Sequence, residues 1–385
     1  MIYIHIPFCR SFCTYCDFYS EVAAKCRKAE DRERQEALFE AYGKAAGCEI
    51  RHRADEITSD VNTLYIGGGT PSVLPLSVYS SIMEDLACAG AKPPFDEFTF
   101  EVNPEDIVAK GVEYVRGLME LGVNRFSMGV QSFDDGILRW MNRRHDAATA
   151  REAYRILRES GVENISIDLI FGLPQMSPEK WETTLKSALE ISTRGTLPAH
   201  ISSYQLSVEP GSALARMVGE GKWSEASDEV CQRQYAMLCE ALKSAGYNHY
   251  EISNFALPGY EAVHNSAYWN HSPYVGLGPG AHSFSIEDGK YIRSWNEPDL
   301  KAYLKGEGPV RGSEVLDQEQ IAMERIMLGL RTSAGIDESY LLENGAADAV
   351  SAAIRNGLLV RLPDGHVRIP EDRFFISDSI ISEIV

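Results

Sequence analysis

Six short runs of apolar and β-branched residues recur along the first half of the chain, each followed by a helical stretch. The runs are IYIHI (2–6), NTLYIGGG (62–69), EFTFEV (97–102), NRFSMGV (124–130), NISIDLIFG (164–172) and HISSYQL (200–206). Between them, residues 31–46 place Leu38, Phe39, Tyr42 and Ala46 on one helical face, and 77–89, 106–121, 147–160 and 178–190 carry similar stripes. The last opens with Ser177 as N-cap and Pro178 at the first helical position. Another helix is expected over about 227–245. Strands alternating with helices in this way run parallel, with right-handed crossovers. The fold class is therefore α/β. Six units are too few for a complete eight-stranded barrel, and a doubly wound open sheet is the other solution. In either case functional residues belong at the C-terminal ends of the strands.

The sequence places its chemistry there. Cys9, Cys13 and Cys16 follow the first strand in CxxxCxxC spacing, GGGTPS ends the second, Glu101 and Gln131 end the third and fourth, and Asp168 lies in the fifth. Thiolates bind zinc or iron–sulfur clusters. Zinc asks for a second CxxC or a Cys/His pair, and none follows; His5 lies inside the strand. Three cysteines on one loop can instead hold three irons of a [4Fe-4S] cluster and leave the fourth open to a small molecule. Adjacent glycines after a strand let a ligand meet bare backbone, although a tight turn explains them equally well. Cys26, Cys48, Cys88, Cys231 and Cys239 sit mostly in helical stretches and default to packing.

Composition narrows the partners. Net charge is 37 − 56 = −19, which repels phosphate backbones and argues against nucleic acid. No apolar run approaches membrane-spanning length, and strand-like residues at the start leave no room for a leader, so a cytoplasmic protein is expected. From residue 246 the chain turns rich in Gly, Pro, His and aromatics without a clean period, the texture of a binding segment. After 312, helices over 316–331 and 346–356, a hairpin at LLVRL-PDGH-VRI and a last helix suggest a winged-helix-like α+β module. Its 13 acids, 6 arginines and no lysine speak against DNA. The division read from the sequence is thus 1–245, 246–312 and 313–385.

The cysteine spacing together with GGGTPS closely resembles the radical S-adenosylmethionine (SAM) enzymes. The resemblance covers nearly the whole chain. YIHIPFC, GGGTPS, EVNPE, SMGVQSF, IDLIFGLP and GLGPGAHS narrow it to the oxygen-independent coproporphyrinogen III oxidase-like family. It implies a partial (β/α)6 barrel and a [4Fe-4S] cluster on Cys9, Cys13 and Cys16. It also implies SAM contacts from Tyr3, Tyr15, Gly68, Gly69, Thr70, Glu101, Gln131, Arg143 and Asp168, with an electron donor for the cluster. Backbone groups and Thr70 suit the amino-acid end of SAM, carboxylates its ribose or ammonium, and Arg143 its carboxylate.

Within the family two functions of different kind are open. One is oxidative decarboxylation of coproporphyrinogen III propionates to give protoporphyrinogen IX. The other is the haem chaperone HemW branch, which keeps the cluster and SAM site, binds haem and passes it to an acceptor protein. Three features favour the second. The enzyme branch shows a further cysteine two positions after the third, where this chain has Phe18. It carries an extension before the first strand. And HNSAYW (264–269) matches the HNxxYW motif of the HemW branch. Histidine is a standard axial haem ligand, so His264 is the expected haem contact, with Tyr268 and Trp269 offering flat faces. A loop histidine satisfied by backbone is the plain alternative, and His271 and His282 are weaker competitors.

Overall fold

In the computed structural model, which describes residues 1–22, 29–58, 60–192, 195–306 and 311–385, the six runs are parallel strands. They are β1 (Ile2–Ile6), β2 (Thr63–Gly68), β3 (Glu97–Val102), β4 (Arg125–Gln131), β5 (Asn164–Phe171) and β6 (His200–Gln205). The helices on the crossovers are α1 (Ala29–His52), α2 (Leu76–Ala89), α3 (Pro104–Glu120), α4 (Asp135–Trp140), α5 (Ala147–Glu159) and α6 (Pro178–Leu189). Asp146 caps α5 by accepting from the Thr149 amide, and Ser177 caps α6 by accepting from Lys180. The short α4 and α7 (Ala213–Gly219) have too few turns to show a period in the sequence.

Register separates two faces of the sheet. Ile4, Ile66, Phe100, Phe126 and Ile165 stand side by side in one row, all buried, and Phe100 meets the Tyr79 ring of α2 edge-on at 5.0 Å. This face packs under the helices, and each such side chain removed from water contributes roughly 2 kcal/mol. The neighbouring rows are polar: Tyr65, Thr99 and Arg125, then Glu101, Ser127 and Ser166, then Gly129, Asp168 and Ser202. A parallel sheet covered on both faces reads as continuously apolar. Here alternate residues are polar because they line an internal cavity.

Beyond β6 the chain is more regular than its texture predicts. β8 (Asn254–Ala256) adds antiparallel to β6, β7 (Asn248–Glu251) pairs antiparallel with β8 at the edge, and α8 (Asp228–Ser244) precedes them. After α9 (Val263–Trp269), β9 (Val275–Leu277) returns to pair parallel with β1. The sheet order is β9-β1-β2-β3-β4-β5-β6-β8-β7, an open sheet of nine strands. Strands of three or four residues are too short to show alternation in a sequence. A three-stranded antiparallel sheet follows, β10 (His282–Glu287), β11 (Lys290–Asn296) and β12 (Arg311–Leu316), so position 312 falls inside a strand. α10 (Leu300–Tyr303) lies between β11 and β12, and the terminal region holds α11 (Gln318–Leu330), α12 (Glu338–Asn344) and α13 (Ala347–Arg355). The expected hairpin is β14 (Val360–Arg361) with β15 (His366–Arg368), joined by an unforeseen β13 (Ile336–Asp337), and α14 (Ser377–Ser382) closes the chain. Among the cysteines assigned to packing, Cys231 is buried, Cys48 and Cys239 half-buried and Cys88 exposed; Cys26 lies outside the described residues.

Candidate functional site

The cysteine loop leaves β1 and folds over the end of β2. Phe8–Cys9 pairs with Glu21–Val22, and the Glu21 amide donates to the Pro7 carbonyl at 2.8 Å, closing the loop at its base. Its centre is tied down by Thr14, whose amide donates to Met141 and whose carbonyl accepts from Leu214, at 3.1 and 2.7 Å. His5 braces it from below: Nδ1 lies 2.9 Å from the Tyr3 hydroxyl and Nε2 2.7 Å from the Tyr19 carbonyl.

The glycines of GGGTPS first serve this packing. A Cβ on Gly69 would stand 2.7 Å from the Phe8 carbonyl oxygen and 3.1 Å from Cys9 Sγ, and one on Gly68, where φ is +110°, would meet the His5 ring at 2.6 Å. The Gly68 amide donates to Glu101 Oε2 and the Gly69 amide to the Ile6 carbonyl. What these two residues have left to offer a ligand is their carbonyls, which suit an ammonium. Thr70 Oγ1 lies 3.4 Å from Cys9 Sγ and accepts from Asn103 Nδ2.

The three cysteines are free thiols lining one cavity of about 560 Å³. Burial pushes the Cys9 thiol up and that of Cys16 up to about 12. Arg143 approaches Cys13 Sγ at 3.5 Å and donates to Asn103 Oδ1 and the Gly129 carbonyl at 2.8 and 2.6 Å. Tyr15, Gly68, Gly69, Thr70, Glu101, Gln131, Arg143 and Asp168 line the same cavity. Gln131 holds a left-handed φ of 67° where the β4–β5 register shifts, which turns its side chain out of the strand alternation. Burial raises Glu101 to about 7, against the Tyr65 hydroxyl 2.6 Å away, and raises Asp168 to about 6, against the Arg125 charge. Tyr3 is outside the lining; its hydroxyl is spent on His5. Among the described residues no three His, Cys, Asp or Glu side chains are gathered around a point that could hold one metal ion.

His264 lies elsewhere, at the N-terminal end of the strands. It is 1 % exposed in the first turn of α9, its Nδ1 2.8 Å from Thr63 Oγ1 and its Nε2 3.0 Å from the Tyr268 hydroxyl. Glu97, the first residue of β3, accepts from the Val263 and His264 amides. Burial pushes the imidazole down to about 3, so the ring is neutral with both nitrogens engaged. Tyr268 stands edge-on to it at 5.2 Å, and Trp269 Nε1 is buried without a partner. Ala262 and Asn265, which flank this turn, do reach the cavity. His271 packs between Phe284 and Tyr291 and bonds Glu324, and the exposed His282 faces Trp295.

Tyr65, Asn103, Arg125 and Asn254 are among the cavity residues that were not singled out from the sequence. Asn103 was inside a recognised motif, EVNPE. Arg125 had a signal too: a charge at the start of a strand that is otherwise buried.

The Radical SAM superfamily model matches residues 3–188. The chain is 34% identical over 344 residues to the "Heme chaperone HemW" of Synechocystis sp., covering 88% of this chain and 79% of that protein. It is 35% identical over 350 residues to the protein of the same name in Bacillus subtilis, covering 89% and 86%. The solved structure of coproporphyrinogen III oxidase (HemN) from Escherichia coli superposes with a TM-score of 0.78 over 99% of this chain and 89% of that one, at 23% identity, and shares the fold. With the cysteine loop, the parallel half-barrel and these relatives together, the chain belongs to the HemW family of the radical SAM superfamily.

Proposed function

We propose that the protein is a haem chaperone: it binds haem and passes it to an acceptor protein, while carrying a [4Fe-4S] cluster and SAM in its barrel. The carrying observation is its 34–35% identity, across most of its length, to two proteins named as haem chaperones. Phe18 in place of a further cysteine supports the same side.

The residues fit the cluster. Cys9, Cys13 and Cys16 are free, lie on one short loop and face one cavity. A cubane takes each thiolate at a different iron, so the sulfurs need not meet at one point. Arg143 beside Cys13 sets a cation against a thiolate-rich, anionic group. When bound, the cluster supplies an electron to SAM from an outside donor. Tyr15, the carbonyls of Gly68 and Gly69, Thr70, Glu101, Gln131, Arg143 and Asp168 would hold SAM. Tyr3 would act through His5 and the loop.

His264, with Tyr268 and Trp269, is the proposed haem contact. One ring nitrogen must give up its partner, Thr63 on Nδ1 or Tyr268 on Nε2, before it can meet iron, so haem binding would rearrange the first turn of α9. Residues 313–385 would cover the barrel or meet the acceptor. No helix among the described residues is long and apolar enough to cross a membrane. The proposed location is the cytoplasm.

The test is anaerobic reconstitution of the cluster with reductant and SAM, followed by two assays. Haem titration should give a saturable Soret shift, reduced in His264→Ala with iron and sulfide content unchanged. Coproporphyrinogen III should not be decarboxylated. Protoporphyrinogen formation above a cluster-free control overturns the chaperone reading in favour of the oxidase; unchanged haem binding in the variant removes His264 from the site.

A further inference from the structure

The cavity does not stop at the cysteines; it runs down the barrel to a charged floor. Arg125 opens β4 at the end away from the cluster loop, is 3 % exposed and lines the cavity. Its Nη1 reaches the Thr99 hydroxyl at 3.4 Å, and its Nε has no partner. Among the described residues it forms no ion pair. The buried carboxylates of Asp168 and Glu101 feel its charge across the cavity, but neither pairs with it directly, and a buried guanidinium with no counter-ion in contact is unfavourable. Asn254, 4 % exposed, lines the same cavity. Its Nδ2 donates to Glu251, and its Oδ1 has no partner.

The groups around them are already committed. His200 bonds Ser166 and the Tyr250 hydroxyl, each at 2.8 Å, and is held neutral by burial. Glu97 gives its carboxylate to Thr99 and to the two amides that open α9. Thus a spare cationic donor and a spare acceptor remain, both buried and both lining one cavity. Ala262 and Asn265, beside His264, border the same space.

We propose that Arg125 and Asn254 form a carboxylate-binding floor, and that it takes a propionate of haem. The proposal rests on the haem-carrier reading. A guanidinium presents paired donors that match a carboxylate, and haem carries two carboxylates on an otherwise apolar rim. Asn254 Oδ1 adds an acceptor for a protonated carboxyl or a bridging water. Holding a propionate here would orient the macrocycle against the turn that bears His264, at the opposite end of the barrel from the cysteines.

The experiment compares haem with haem dimethyl ester on the full-length wild type and on Arg125→Gln. The wild type should bind the ester about tenfold to a hundredfold more weakly than haem. Arg125→Gln should lower haem affinity to the level of the ester and leave ester affinity unchanged. Equal binding of haem and ester by the wild type overturns the proposal, with no variant needed. So does unchanged haem affinity in a folded Arg125→Gln. If the wild type binds no haem, the carrier reading fails, and acetate decides the floor on its own. A rise in Tm with acetate in the wild type, absent from Arg125→Gln, then assigns a carboxylate site for a small acid. No rise means the floor holds water, and the site is withdrawn.

Discussion

The hydroxyl of Thr63 lies 2.8 Å from Nδ1 of His264, although 201 positions separate the two in the chain. With Tyr268 on Nε2, it locks the proposed haem contact into a closed, buried state. Thr63→Val keeps the shape and removes the partner. An unsatisfied buried nitrogen costs about 1–3 kcal/mol, charged only to the closed state. The variant should therefore melt a few degrees lower and yet bind haem more tightly, because the open state becomes easier to populate. Parallel haem titrations and thermal melts check both signs. A loss of haem affinity in Thr63→Val would show that the closed geometry is itself the binding form.

Gly69→Ala probes the seat of the cysteine loop. The added methyl would press on the Phe8 and Ile6 carbonyls at 2.7 and 3.0 Å and on Cys9 Sγ at 3.1 Å. Two of these contacts are backbone and cannot swing away. Overpacking of this kind costs roughly 1–3 kcal/mol. Reconstituted Gly69→Ala should hold less iron and sulfide per chain than the wild type, and its urea midpoint should fall.

As a proposed SAM contact, Glu101 should make SAM binding sensitive to pH. Burial raises its carboxyl to about 7, so it is largely protonated at pH 6 and ionised at pH 8. Contact with an ammonium needs the ionised form, and a ribose hydroxyl donates more strongly to it. SAM affinity of the wild type should rise through this range, by up to about tenfold per pH unit below the midpoint, and level off above it. Glu101→Gln should bind more weakly and keep only the lower-pH dependence that Asp168 supplies. Calorimetric titration at several pH values checks it, and the difference between the two proteins removes the contribution of Asp168.

His249 ties the end of the chain to the sheet edge. Its ring stacks on Phe255 at 4.1 Å and meets Phe374 edge-on at 5.0 Å. Tyr235, Glu251, Arg368 and Glu371 also face it, and burial pushes it down to about 4. A depressed histidine is neutral when folded and takes up its proton more readily when unfolded. Its stabilising effect is whole above the ordinary histidine range near pH 6.5. It is lost as pH falls toward 4, by up to about 1.4 kcal/mol per unit. The wild type should lose stability over this window more steeply than His249→Gln, measured by urea unfolding at pH 7, 6, 5 and 4.5.

The six parallel strands were legible in the sequence to within one residue at each end. Each is long enough to show its apolar run, and each is followed by a helix with its own stripe. The placing of Cys9, Cys13, Cys16, Glu101 and Asp168 follows from that order, because in parallel strands the C-terminal ends all fall on one side. β7, β8 and β9 were not legible. Strands of three or four residues carry no period, and the sheet partners of β8 and β9, β6 and β1, lie far away in the chain.

By itself, then, the sequence determined the local elements, the order in which they succeed one another and the end of the sheet where the thiols and acids gather. Those properties come from neighbours within a few positions. Only the tertiary structure decided that Gly69 is a packing glycine under the cysteine loop, that His264 is closed by Thr63 and Tyr268, and that Arg125 stands buried with a donor to spare. Burial and hydrogen-bond satisfaction belong to the whole chain, since residues hundreds of positions apart supply or withhold the partner.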